Sequence, residues 1–96
     1  MDASQDDTVE RYRRQITETD LEILAAVNRR ITLVSQLHAH KREHGYPLTD
    51  PGREQAMLEH LQRANPGPLT DEGAAQLLAT LLRISSRRET LEEVDA

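Results

Sequence analysis

The sequence predicts an all-α fold: a subunit of one long, one short and one medium helix, paired with a second copy of itself. Three observations predict it. A stretch of about 36 residues, Thr8 to Glu43, holds neither Pro nor Gly. The 96 residues include no Phe and no Trp, and only Tyr12 and Tyr46. The core must then come from Leu, Ile, Val, Ala and Met, without the aromatic and β-branched runs that build strands. Two breaks rich in Pro and Gly, His44-Gly-Tyr-Pro47 and Asn65-Pro-Gly-Pro68, divide the remainder of the chain.

Residues 1–7 are polar and are read as a frayed tail. The helical domain is assigned to residues 8–92, and residues 93–96 to a C-terminal tail. In the first helix, Ile16, Ile23, Val27, Val34 and Leu37 recur at the spacing of one helix face. Such a helix is about 54 Å long at 1.5 Å per residue, whereas a globule of this size is roughly 30 Å across. It must overhang its own subunit, so the length predicts an obligate homodimer with this helix packed across subunits. Gly45 is the expected left-handed stop and Pro47 bars continuation.

Thr49-Asp50-Pro51 opens the second helix, with Asp50 as N-cap and Pro51 at the first helical position. That helix runs to about Ala64, with Met57, Leu58 and Leu61 inward and Arg53 and Glu54 near the buried edge. After the 65–68 turn, Thr70, Asp71 and Glu72 start the third helix, acids lying at the positive end of its dipole. Leu78, Leu81, Leu82, Ser85 and Glu89 follow one face; a shift of one in the turn would put Ser86 in place of Ser85.

Composition excludes several classes. The net charge is −5, and acids crowd both ends, so no basic, aromatic-studded face for nucleic acid is expected. The chain has no Cys, no leader-like N-terminus and no apolar run of membrane-spanning length. A cytoplasmic, cofactor-free protein without membrane association is expected. His38, His40 and His44 cluster late in the first helix. His40 and His44 stand at i, i+4, a spacing that can hold a metal, but read without a third ligand they are taken as solvated, and no metal is expected.

The informative residues are cations in the wrong place. Arg30 and Lys41 differ by about 20° around the first helix and lie inside its apolar stripe. A cation on a buried face is costly unless an anion meets it. The bland readings are stems laid on apolar surface with wet heads, or a salt bridge to another helix. Arg53 and Glu54 could likewise bridge helices, Ser85 could bond its own helix carbonyl, and Glu89 could be solvated or semi-buried. Together, three helices each send polar groups toward one region, the pattern of a ligand site in a bundle. Cations, carboxylates and a hydroxyl, with no evident nucleophile, suit a small dianion.

These residues resemble a known family. Arg13-x6-Asp20 with Ile23-Leu24, then Arg29-Arg30, Lys41, Asp50-x2-Arg53-Glu54 and Ser85-x3-Glu89 are similar to the all-helical class of chorismate mutases, over about residues 9–92. The resemblance implies an intertwined homodimer that rearranges chorismate to prephenate in aromatic amino-acid biosynthesis, without cofactor or covalent intermediate. It implies that Arg13 reaches the other subunit's site and that Arg30 binds a carboxylate in its own. Lys41 would bond the ether oxygen and a carboxylate; Asp50 and Glu54 would meet the ring hydroxyl end with Arg53 nearby; Ser85 would assist at a carboxylate. Alternatives on the same fold are an isochorismate pyruvate lyase, a mutase of amino-deoxychorismate, and a weakly active regulatory dimer switched on by an earlier shikimate-pathway enzyme.

Glu89 departs from the family members that carry Gln at the matching position. An ionised carboxylate only accepts hydrogen bonds and would repel the ether oxygen. To donate, Glu89 must be protonated, against a reference value of about 4.3. Activity is therefore expected to fall as pH rises through neutrality, and Glu89→Gln to flatten the profile. A wild-type rate that is flat from about pH 5 to 8 removes Glu89 from the ether oxygen.

Overall fold

In a computed structural model the chain forms three α-helices: α1 (Asp7–Glu43), α2 (Pro51–Ala64) and α3 (Asp71–Asp95). The structure describes the backbone of residues 6–95 and the side chains of residues 6–85. No strand occurs among the described residues. The chain divides into two compact units, Met1–Arg30 and Ile31–Ala96.

The N-terminal unit is the first part of α1. The Asp6 side chain accepts from the Thr8 amide at 2.8 Å, and acids Asp7 and Glu10 occupy the first turn, where they complement the helix dipole. Its large apolar side chains stand in solvent: Tyr12, Ile16, Leu21, Ile23 and Leu24 are each more than half exposed. Tyr12, Ile16 and Ile23 share one face, while Leu21 lies nearly opposite. A helix apolar on more than one side belongs inside a packed structure.

In the C-terminal unit, α1 ends through backbone chemistry that its sequence dictates. Gly45 adopts φ 70°, which a side chain would disfavour. The Tyr46 amide donates to the Lys41 carbonyl at 2.8 Å and the Gly45 amide to the Arg42 carbonyl at 3.3 Å. These are the two bonds of a Schellman cap. Pro47 then prevents any further helical turn.

α2 begins as expected. Asp50 is extended (φ −146°, ψ 91°) and its Oδ1 accepts from the Arg53 amide at 3.1 Å, with Pro51 in the first turn. At the other end the Asn65 amide donates to the Leu61 carbonyl at 2.9 Å. The Asn65 side chain then organises the turn: Oδ1 accepts from the Gly67 amide at 3.0 Å and Nδ2 donates to the Leu69 carbonyl at 2.8 Å. Gly67 has φ 81° and its peptide bond to Pro68 is cis. Thr70 caps α3, its hydroxyl accepting from the Gly73 amide at 2.9 Å. Gln62 of α2 bonds the Asp71 carbonyl at 3.1 Å, tying the two helices together.

α2 packs against α3. Ala74 and Leu78 are the buried apolar residues among those described, and Ser85, two turns beyond Leu78, is also buried. Met57 and Leu58 are half-buried as expected. Leu61 is 40% exposed. It edges an apolar groove of about 290 Å³ with Leu69, Leu77 and Leu81. No helix among the described residues is long and apolar enough to cross a membrane.

Candidate active site

The cations of α1 differ in their surroundings. In the N-terminal unit, Arg13 is exposed and its Nη1 lies 3.1 Å from Glu10 Oε1, one turn earlier. An exposed pair of this kind is worth only about 0.2–1 kcal/mol, so little holds the guanidinium there. Arg30 is half-buried, while its neighbour Arg29 is exposed. In the C-terminal unit, Lys41 is half-buried and the adjacent Arg42 is exposed. Lys41 sits in the last turn of α1, where a cation complements the helix C-terminus. Its own carbonyl anchors the Schellman cap, so the turn that carries the ammonium is fixed.

The half-buried face of α1 in the C-terminal unit runs Ile31, Val34, Ser35, His38, Lys41. Leu37, assigned to the stripe, is 50% exposed in the single chain, and Ile16 and Ile23 are likewise exposed. One sequence expectation is corrected here. His38, read as solvated, is half-buried on the Lys41 face. The three-residue spacing of His38 and Lys41 was the signal that could have found it.

The first turn of α2 brings Asp50, Arg53 and Glu54 together. Asp50 serves as N-cap through its side chain, and its carbonyl accepts from the Glu54 amide at 3.1 Å. Arg53 and Glu54, expected near a buried edge, are both exposed in the chain by itself. Glu54 lines a groove of about 210 Å³ between α2 and α3, with Leu58, Leu78 and Leu82. One turn beyond Leu82 on the same face of α3 comes Ser85, 7% exposed. The turn before α3 is organised by the two Asn65 bonds. The side chains of Ser86 and Glu89 lie outside the described residues.

One cluster is not evident from the histidine spacing alone. Glu43 stands between His40 and His44, and one ligand atom from each of the three lies within 4.8 Å of the others. The signal was the carboxylate at i+3 from His40, which shares a helix face with the histidine pair.

The chain is similar to known proteins over most of its length. A family model described as Chorismate mutase type II matches residues 12–90. Two solved structures of chorismate mutase from Thermus thermophilus resemble it closely. Form I is 32% identical with a TM-score of 0.79, covering 82% of this chain and 99% of that one. Form II is 31% identical with a TM-score of 0.80, covering 84% and 92%. No curated protein matches significantly.

The cap geometry separates two contributions of Asp50. Asn is as good an N-cap as Asp. Asp50→Asn should keep folding stability within about 0.5 kcal/mol of wild type, while Asp50→Ala should lose about 1 kcal/mol. Urea unfolding reads both. Any loss of activity in the Asn variant then reports the carboxylate itself, and equal destabilisation by Asn and Ala would mean that the 3.1 Å cap bond is not what Asp50 contributes.

Proposed function

The chain belongs to the chorismate mutase type II family, and on that premise we propose how its residues share the work of converting chorismate to prephenate. The enzyme is an isomerase. The reaction breaks an ether C–O bond and forms a C–C bond within one molecule, so it needs no acid, base or nucleophile to form a covalent intermediate. What the protein can supply is selection of the compact conformer and stabilisation of charge that builds on the ether oxygen.

The observation that carries the assignment is selective burial. Of the basic residues along α1, Arg30 and Lys41 are half-buried while Arg29 and Arg42 beside them are exposed. Arg30 binds one substrate carboxylate. Lys41 bonds the ether oxygen and a carboxylate, and its ammonium gains most when that oxygen becomes negative. Glu54 and Asp50 meet the ring hydroxyl, with Arg53 beside them. Ser85 assists at a carboxylate, and protonated Glu89 donates to the ether oxygen.

The protein works as a homodimer. The support is the solvent exposure of Tyr12, Ile16, Leu21, Ile23 and Leu24, an array of apolar groups whose hydration a second copy relieves. Arg13, held only by the weak pair with Glu10, reaches a carboxylate in the other subunit's site. A cytoplasmic location suits a chain with no Cys and a soluble, dianionic substrate.

The purified chain should consume chorismate with prephenate as the product. Arg30→Ala and Lys41→Ala should each lower kcat/KM by about 10²–10³-fold, the usual effect of removing one preorganised donor. Wild-type turnover in Lys41→Ala would overturn the ether-oxygen role. Salicylate and pyruvate from isochorismate, with chorismate untouched, would replace the reaction itself.

Arg13 has a separate test. Arg13→Ala and Arg30→Ala chains should each be nearly inactive alone. Mixed and allowed to exchange, they should recover up to about a quarter of wild-type activity, because half the dimers are mixed and each has one complete site. No recovery after demonstrated exchange places Arg13 in its own subunit's site.

A further inference from the structure

We propose that His40, Glu43 and His44 form a site for one divalent first-row transition-metal ion, of which zinc is the representative, at the C-terminal end of α1. The site is separate from the substrate chemistry above.

The three side chains supply two imidazole nitrogens and a carboxylate oxygen, all within 4.8 Å of one another. Zinc holds such atoms at about 2.0–2.2 Å, so the ligands must draw in by about an ångström, which exposed side chains do by rotation. All three are exposed, leaving the remaining coordination positions to water. Two histidines and one carboxylate suit Zn²⁺, and equally Co²⁺, Ni²⁺ or Cu²⁺, over the oxygen-seeking Mg²⁺ and Ca²⁺.

One histidine of the cluster is oriented by the backbone. His44 follows the last residue of α1, yet its amide donates to the His40 carbonyl at 3.2 Å, so the two rings keep the spacing of one helical turn. His44 Nδ1 lies 2.9 Å from that same carbonyl oxygen. A carbonyl only accepts, so Nδ1 carries the proton and Nε2 keeps its lone pair. This is the outer-sphere bond that orients metal-bound histidines and selects their tautomer. The ring also has two aromatic neighbours. Tyr46 stacks on it at 5.4 Å and 23°, and His40 lies across it at 4.2 Å and 35°.

The local charge is mixed. Lys41 and Arg42 follow His40 in the same turn and oppose a bound cation, while the Glu43 carboxylate favours it. The Schellman cap made by Gly45 and Tyr46 fixes the backbone between the ligands, so a metal joining His40 to His44 staples a turn that is already formed. Nothing about the exposed cluster encloses a substrate, and no hydrolysis is assigned to it.

The test uses the full untagged chain, stripped with chelator and titrated with zinc chloride by calorimetry. One equivalent should bind per chain. His40→Ala and His44→Ala should each weaken binding by more than the roughly 10–100-fold lost when only an outer-sphere partner is removed. His60→Asn, at an exposed histidine of α2, should leave it unchanged. Zinc should raise the thermal midpoint of wild type and not of His40→Ala, and circular dichroism should report unchanged helix content in each variant. Binding by wild type no tighter than by a His40→Ala/His44→Ala double variant overturns the proposal, as does equal loss in His60→Asn.

Discussion

A positive charge held against apolar surface must have a counter-charge. Arg30 and Lys41 are half-buried on a helix most of whose other charged side chains are exposed. Water solvates a guanidinium or an ammonium better than a helix face does. A sequence that keeps these two partly covered, with Arg29 and Arg42 left in solvent beside them, sacrifices stability at two chosen positions. On the proposed assignment, the two carboxylates of chorismate meet cations that are already partly stripped of water. The proposed site also draws on the cap that fixes the Lys41 turn, the α2 start that gathers Asp50, Arg53 and Glu54, and buried Ser85 of α3.

The second dependence is on company. Among the described side chains only Ala74, Leu78 and Ser85 are buried. In the proposed homodimer, another copy would supply the apolar cover that one chain does not give itself, coupling folding to assembly. The same pairing would let one subunit lend an arginine to a site in another. The loose Glu10 pair suits this, since an exposed partner at one helical turn neutralises Arg13 without holding it.

The elements were legible because each boundary is set by local chemistry. Asp50-Pro51, Gly45 and Thr70 act through bonds that span three to five residues, and the cap bonds are found there. The burial of Ser85 is a fact of packing, and the turn before α3 is folded by the two bonds of the Asn65 side chain. Composition alone does not foretell that a side-chain amide will fold a loop. The site was legible in part. Arg30 and Lys41 stood out because charge and periodicity conflict there. His38 was misplaced because an apolar tally passes over histidine, while the face covered within the chain passes through Ser35 and His38. Arg53 and Glu54 depend on what lies across from them, which is a property of packing and not of one helix's pattern.

The chain has no tryptophan and just two tyrosines, and α1 with its cap places them far apart in sequence and in different settings. Tyr12 stands largely in solvent with the Arg11 guanidinium 5.7 Å from its ring centre. Tyr46 lies stacked on an imidazole in the cap. The protein therefore carries two native fluorophores, one in each compact unit, with no indole to outshine them. Emission from Tyr12 follows events along the apolar face of the N-terminal unit, and emission from Tyr46 follows the cap that holds Lys41. Replacing either tyrosine by phenylalanine leaves a single-colour optical readout of the other, without any attached dye.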